Sequence, residues 1–209
     1  MKRIVFMLVL AFAVCGWVFA QKTAEDLVKS GIAHSSNNEY DKAIADITEA
    51  IRLKKDFTEA YYYRGLSYAI KNEYDKAIAD FTEAIRLKTD FAEAYYYRGL
   101  AYINKKDYEQ AIADFTEAIK LNPKITSAYI GRGTAYLGKN DYDKAIADYT
   151  EAIKLDPRFA NVYTGRGTAY FEKKDYDKAI ADFEAVLKIE PNNANAKNRL
   201  EKAKQARGN

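Results

Sequence analysis

The chain has 209 residues, 48% of them hydrophobic, and carries 33 Lys and Arg against 30 Asp and Glu for a formal net charge of +3. That much apolar material supports a continuous core and excludes a wholly disordered chain, while the near balance of charge excludes an electrostatic footprint for nucleic acid or an anionic membrane surface. The one cysteine, Cys15, excludes disulfides and thiolate metal sites once a leader around it is removed, and 18 tyrosines against one tryptophan supply apolar faces that each carry a hydroxyl.

The first predicted element is that leader. Lys2 and Arg3 precede an unbroken run of apolar residues and glycine over residues 4–20, and Val18-Phe19-Ala20 suits cleavage. A secretory signal peptide over residues 1–20 is expected, with Gln21 opening the mature chain. The alternative is an uncleaved anchor, because the run reaches the lower edge of a bilayer span. The expected location is the periplasm or the exterior, or the membrane if residues 4–20 persist as an anchor.

From Ala24 onward the sequence repeats every 34 residues without a slip, as Gly31, Gly65, Gly99, Gly133 and Gly167 show, and again Ala43, Ala77, Ala111, Ala145 and Ala179. Five units follow, at 24–57, 58–91, 92–125, 126–159 and 160–193. In each, a first helix is predicted from apolar spacings of three and four, as in Tyr61, Gly65 and Tyr68. A second follows, with Tyr74, Ala77, Ile78, Phe81, Ala84 and Ile85 on one broad stripe. Polar breaks such as Lys71-Asn72-Glu73 separate the two, and Asp107, Asp141 and Asp175 stand where they cap the second helix. Pro123, Pro157 and Pro191 divide units, with Lys55 and Thr89 at the earlier joints. Gly65 and Ala77 are expected to meet as a small pair at the helix crossing. Arg64, Arg98, Arg132 and Arg166 are expected to pair with Asp80, Asp114, Asp148 and Asp182; Asp46 in the first unit faces Ser30 at the arginine position. His34, the only histidine, occupies a tyrosine slot and reads as a packing residue. After Asn193, residues 194–209 read as a polar capping helix and tail, with Leu200 as its main large apolar residue.

Tyr61, Gly65, Tyr68, Ala77, Phe81 and Ala84, with Pro123 in the next unit, resemble the 34-residue tetratricopeptide repeat, W-x2-L-G-x2-Y followed by A-x3-F and P. Tyrosine replaces the usual tryptophan in units two to five and arginine replaces the leucine before the glycine. The resemblance implies an all-α fold, a right-handed superhelical solenoid of helical hairpins, with the first helices lining its concave side.

On that side the helical wheel places Glu59, Tyr62, Tyr63 and Leu66 from unit two, and Glu93, Tyr96, Tyr97, Leu100 and Ile103 from unit three. These are the candidate partner-binding residues, facing a peptide or helix of another protein; the alternative is that the tyrosines only pack between neighbouring hairpins. Units four and five carry smaller, more polar residues there, so binding is expected to centre on the amino-terminal half. The carboxylate clamp of co-chaperones resembles this fold but relies on lysines and asparagines, which argues against an acidic tail as ligand here. No HExxH, phosphate loop or nucleophile with its base occurs, so no catalytic, metal or cofactor site is expected. The reading is an exported scaffold or adaptor for a protein or peptide, in envelope assembly or protein handling. A non-catalytic accessory subunit or a glycan-binding solenoid is the alternative, and the oligomeric state stays open.

Overall fold

The computed structural model describes residues 22–208, so the expected signal peptide lies outside the described residues. Eleven helices make up the regular structure of that range. They are α1 Ala24–Ser36, α2 Tyr40–Leu53, α3 Thr58–Ile70, α4 Tyr74–Leu87, α5 Ala92–Asn104, α6 Tyr108–Leu121, α7 Thr126–Gly138, α8 Tyr142–Leu155, α9 Ala160–Glu172, α10 Tyr176–Ile189 and α11 Ala194–Gly208. Helices of 13 or 14 residues are marginal alone in water, so each is stable only against its neighbours. None among the described residues is long and apolar enough to cross a membrane.

Every helix packs on the one before and the one after it in sequence, giving an open stack of paired helices, an all-α solenoid. The first helices of successive hairpins, α1, α3, α5, α7 and α9, also touch each other, whereas the second helices make no comparable contact among themselves. Curvature follows: the set in mutual contact lies on the inner side and the splayed set on the outer side.

The pillar inside the stack is the aromatic or aliphatic residue sixteen positions after each glycine. Ile47, Phe81, Phe115, Tyr149 and Phe183 are almost wholly shielded from water, as are Ala43, Ala77, Ala111, Ala145 and Ala179 beside them. The room at the glycine is taken by the large side chain sixteen positions on, and at Gly31 a β-carbon would stand 2.5 Å from Ile47 Cγ1 and 3.1 Å from the Ala43 carbonyl oxygen. A β-carbon at Gly65 would stand 2.9 Å from Phe81 Cε1, and one at Gly99 2.9 Å from Phe115 Cε1. The ring reaches across the crossing and takes the room that the missing side chain leaves, while the alanine keeps the second helix thin enough to approach.

The turn inside each hairpin requires one left-handed residue: Asn38, Asn72, Lys106, Asn140 and Lys174 all have φ near 60°. Asparagine tolerates this region better than other non-glycine residues, and in three of the turns a tyrosine hydroxyl donates to it, Tyr40 to Asn38 at 2.7 Å, Tyr74 to Asn72 at 2.6 Å and Tyr142 to Asn140 at 3.0 Å. Asp107, Asp141 and Asp175 accept from backbone amides three residues on, as the sequence predicts. The helices before Pro123, Pro157 and Pro191 end two residues ahead of the proline.

Two polar ladders run along the stack. Arg64, Arg98, Arg132 and Arg166 each grip the aspartate of their own hairpin with Nε and Nη2 and donate through Nη1 to a threonine of the preceding hairpin, Thr48, Thr82, Thr116 and Thr150. In the first unit Asp46 has His34 Nε2 at 3.7 Å instead. At the turns, Lys71, Lys105, Lys139 and Lys173 reach back to Asp41, Asp75, Glu109 and Asp143. Arg207 continues that ladder to Asp177 at 3.1 Å. The terminal helix α11 therefore sits in the register of a sixth first helix. Ala196, Leu200 and Ala203 are buried in it, while Lys197, Glu201 and Lys204 are exposed.

Candidate functional site

The inner face is built by the first helices, and its chemistry changes along the chain. In α3 and α5 the side chains named from the sequence share this face and all retain contact with solvent: Glu59 and Glu93 are exposed, while Tyr62, Tyr63, Leu66, Tyr96, Tyr97, Leu100 and Ile103 are half-buried. The tyrosines form one continuous aromatic layer. The Tyr62 ring lies 4.9 Å from Phe91, 5.2 Å from Tyr63 and 5.9 Å from Tyr97, and Tyr96 lies 5.1 Å from Tyr97. Its inner side rests on the pillar: Tyr97 stacks on Phe81 at 6.2 Å, and Tyr96 tilts against Phe115 at 5.9 Å. Tyr63 also packs on the cluster of Leu27, Ile47 and Ala50 in the preceding hairpin.

Burial pushes the Tyr62 phenol well above its ordinary range, and the Tyr97 ring and the Glu93 carboxylate add to it. Tyr96 is raised by burial too, with Ser127 pulling the other way. These hydroxyls stay protonated at any physiological pH and act as hydrogen-bonding tips on an apolar surface. Among the described residues Glu59 and Glu93 form no ion pair, whereas Glu25, one unit earlier, is bound to Lys54 at 2.8 Å. The face thus combines rings, aliphatic side chains and two unpaired carboxylates.

Two recesses open on its α3–α7 stretch, and a third of about 250 Å³ lies between α9 and α11 against Thr168, Phe171, Asn198 and Arg199. Of the first two, one, of about 380 Å³, lies between α3 and α5 against Leu66, Ala69, Ile70, Tyr97, Leu100 and Asn104. The other, of about 290 Å³, lies further along, against Tyr96, Leu100, Ile103, Gly131, Thr134 and Phe159. The structure thus brings together Tyr96, Leu100 and Ile103 with residues of α7 and the joint before α9. The smaller, more polar side chains of α7, Ser127, Gly131 and Thr134, line this recess. Phe159, 45% exposed at its rim, is absent from the sequence reading. Its signal was the recurrence of Phe57, Phe91, Ile125 and Phe159 at the same place in each joint.

No group of three or more His, Cys, Asp or Glu among the described residues could hold a metal ion. Arg64, Arg98, Arg132 and Arg166 point into the Asp and Thr ladder.

The tetratricopeptide repeat pattern matches residues 27–57, 92–125 and 130–194, and a related repeat pattern of the same type matches residues 65–106. Among solved structures, the chain is similar to YrrB, described as a TPR protein with an unusual peptide-binding site, at 24% identity over 83% of this chain and 89% of that one, with a TM-score of 0.74. It is similar to residues 41 to the end of MamA from Desulfovibrio magneticus RS-1 at 22% identity over 83% and 98%, with a TM-score of 0.78. A further MamA crystal structure is 27% identical over 82% and 94%, with a TM-score of 0.76. No curated protein matches the chain.

Proposed function

Since the chain belongs to the tetratricopeptide repeat family, a family of protein-interaction scaffolds, we propose that it holds a peptide or helix of a partner protein along the inner face between Tyr62 and Phe159. The observation that carries this reading is the aromatic and aliphatic layer, half-exposed on the side where the first helices touch, with two recesses set into it. Rigid rings lose little freedom on binding and make good anchors. The peptide-binding site for which YrrB is described supports the same use of a similar stack. Glu59, Glu93, Tyr62, Tyr63, Leu66, Tyr96, Tyr97, Leu100 and Ile103 are the proposed contact residues, now joined by Gly131 and Phe159. No cofactor enters this role.

The proposed setting is outside the cytoplasm, in the periplasm or the exterior, with envelope assembly or protein handling as the context. The support is the sequence pattern of residues 1–20. Mass determination of the mature amino terminus tests it; an intact Met1 would remove it.

The groove is tested with peptides selected from a displayed random library and titrated by fluorescence anisotropy. Leu66→Lys with Ile103→Lys places two charges on the face without touching the buried pillar. Affinity should fall by about a hundredfold or more for the double variant, with the unfolding transition retained. Unchanged affinity in a folded double variant would remove the inner face from the function.

A further inference from the structure

The recess beside Tyr96 has a counterpart one hairpin earlier, the one lined by Leu66, Tyr97 and Leu100, and there a tyrosine ring forms part of the wall. In α5 the ring of Tyr97 covers Tyr62 at 5.9 Å and stacks on Phe81 at 6.2 Å. The position 34 residues on is Gly131, in α7, where Tyr96 and Phe115 are the equivalents of Tyr62 and Phe81. A β-carbon at Gly131 would stand 2.5 Å from Phe115 Cζ, so the pillar ring has advanced over the glycine, and the place of the tyrosine ring beyond it is the open recess of about 290 Å³. A cavity of about 150 Å³ already accommodates benzene. The next unit closes the equivalent gap differently. At Gly165 the pillar residue is Tyr149, whose hydroxyl fills the glycine's room and hydrogen-bonds with Thr134 Oγ1 at 3.2 Å. Of these three positions only Gly131 pairs a missing ring with a recess beside it.

Charge adds a second requirement. Glu93 lies one helical turn before Tyr96 on the same face of α5, is exposed, and has no ion-pair partner among the described residues; Glu59 stands in the same state one unit earlier. The rim on the other side, Ser127 and Asn161, is uncharged. An unpaired carboxylate one helical turn from the recess's Tyr96 favours a cation on a ligand that runs along this face.

We propose that the recess at Gly131 receives an aromatic side chain of the partner peptide, Phe or Tyr, in the place that Tyr97 occupies one hairpin earlier, with a neighbouring Lys or Arg of the peptide facing Glu93. This rests on the inner face being the binding groove and names the chemistry that the groove selects.

Isotope-labelled protein is titrated with N-acetyl-phenylalanyl-lysinamide, its alanyl analogue, its phenylalanyl-glutamate analogue, and chitotetraose as a carbohydrate probe. Amide shifts should concentrate at Ser127, Gly131 and Thr134 with the first, and the alanyl and glutamate analogues should each bind about tenfold more weakly. Gly131→Tyr, which restores the ring of the preceding hairpin, should abolish the shifts. Because Phe115 has to retreat in that variant, Ser127→Trp, which crowds the exposed rim, provides the same block with the pillar untouched. Glu93→Gln should erase the preference for lysine and leave that for the ring. Equal response to the phenylalanyl and alanyl probes, persistence of binding in a folded Ser127→Trp protein, or response to chitotetraose alone would overturn the proposal. Retained affinity for library-selected peptides lacking any aromatic residue would overturn it while leaving the groove in place, whereas failure of the Leu66→Lys and Ile103→Lys test would remove both.

Discussion

Arg98 of α5 grips Asp114 of α6 at two points, Nε to Oδ2 at 2.8 Å and Nη2 to Oδ1 at 2.7 Å, and its third nitrogen donates to Thr82 of the preceding hairpin at 2.9 Å. The pair is largely shielded, with the side chains 17% and 6% exposed. Burial pushes the Asp114 carboxyl up, and the guanidinium opposes that shift by holding it charged. One residue therefore joins three helices.

Arg98→Met should cost about 3 kcal/mol, because the carboxylate of Asp114 stays behind without its partner. Replacing both, Arg98→Met with Asp114→Leu, should recover most of that loss. Urea unfolding of the three proteins decides the matter; a double variant as unstable as the single one would show that packing of the arginine stem, not the stranded charge, is what is lost.

Lys106 and Lys174 carry the left-handed turn conformation that asparagine carries at positions 38, 72 and 140. Lys106→Gly and Lys174→Gly should each stabilise the protein by about 0.5–1 kcal/mol, since glycine adopts positive φ without the β-carbon penalty. Calorimetry of the double variant should show a raised melting temperature.

Tyr62 touches Phe81 at 6.1 Å and Phe91 at 4.9 Å as well as facing the groove. Tyr62→Ser should therefore lower stability by about 3 kcal/mol in addition to any loss of binding. Tyr62→Phe, which keeps the ring and removes only the hydroxyl, should stay within about 1 kcal/mol of the parent. A serine variant as stable as the parent would mean that the ring is not held by its neighbours.

Asp156 is held down to about 2 by the Arg158 side chain and backbone amide that donate to it. Its folded value lies below the ordinary value of about 3.9, so its contribution is complete above the unfolded value and is lost as pH falls through about 2. The difference in melting temperature between the parent and Asp156→Asn should be present at neutral pH and shrink between pH 4 and pH 2. A difference that stays constant across that window would dismiss the ion pair.

The repeat made the hairpins, the caps at Asp107, Asp141 and Asp175 and the Arg–Asp pairs readable, because each is a local consequence of residue type at fixed spacing. The threonines at 48, 82, 116 and 150 recur just as strictly, but their role depends on which face the next hairpin offers, and that only stacking determines. The ring over the glycine escapes the sequence for a related reason. A helical wheel orders residues around an axis but does not show how far a ring such as Phe81 reaches across a crossing. The recess at Gly131 is not legible in the sequence because a wheel registers side chains that are present, whereas one wall of this recess lacks the ring that Tyr97 supplies one hairpin earlier.

Helix α11 breaks the glycine pattern at one place. Glu201 stands where every earlier first helix has glycine, and it is exposed with Lys197 and Lys204 around it. A ring arriving from another hairpin, whether grafted onto the gene or offered by a second molecule, would find a carboxylate in its socket. A builder wishing to stack a further tile on α11 has to restore glycine at 201 first.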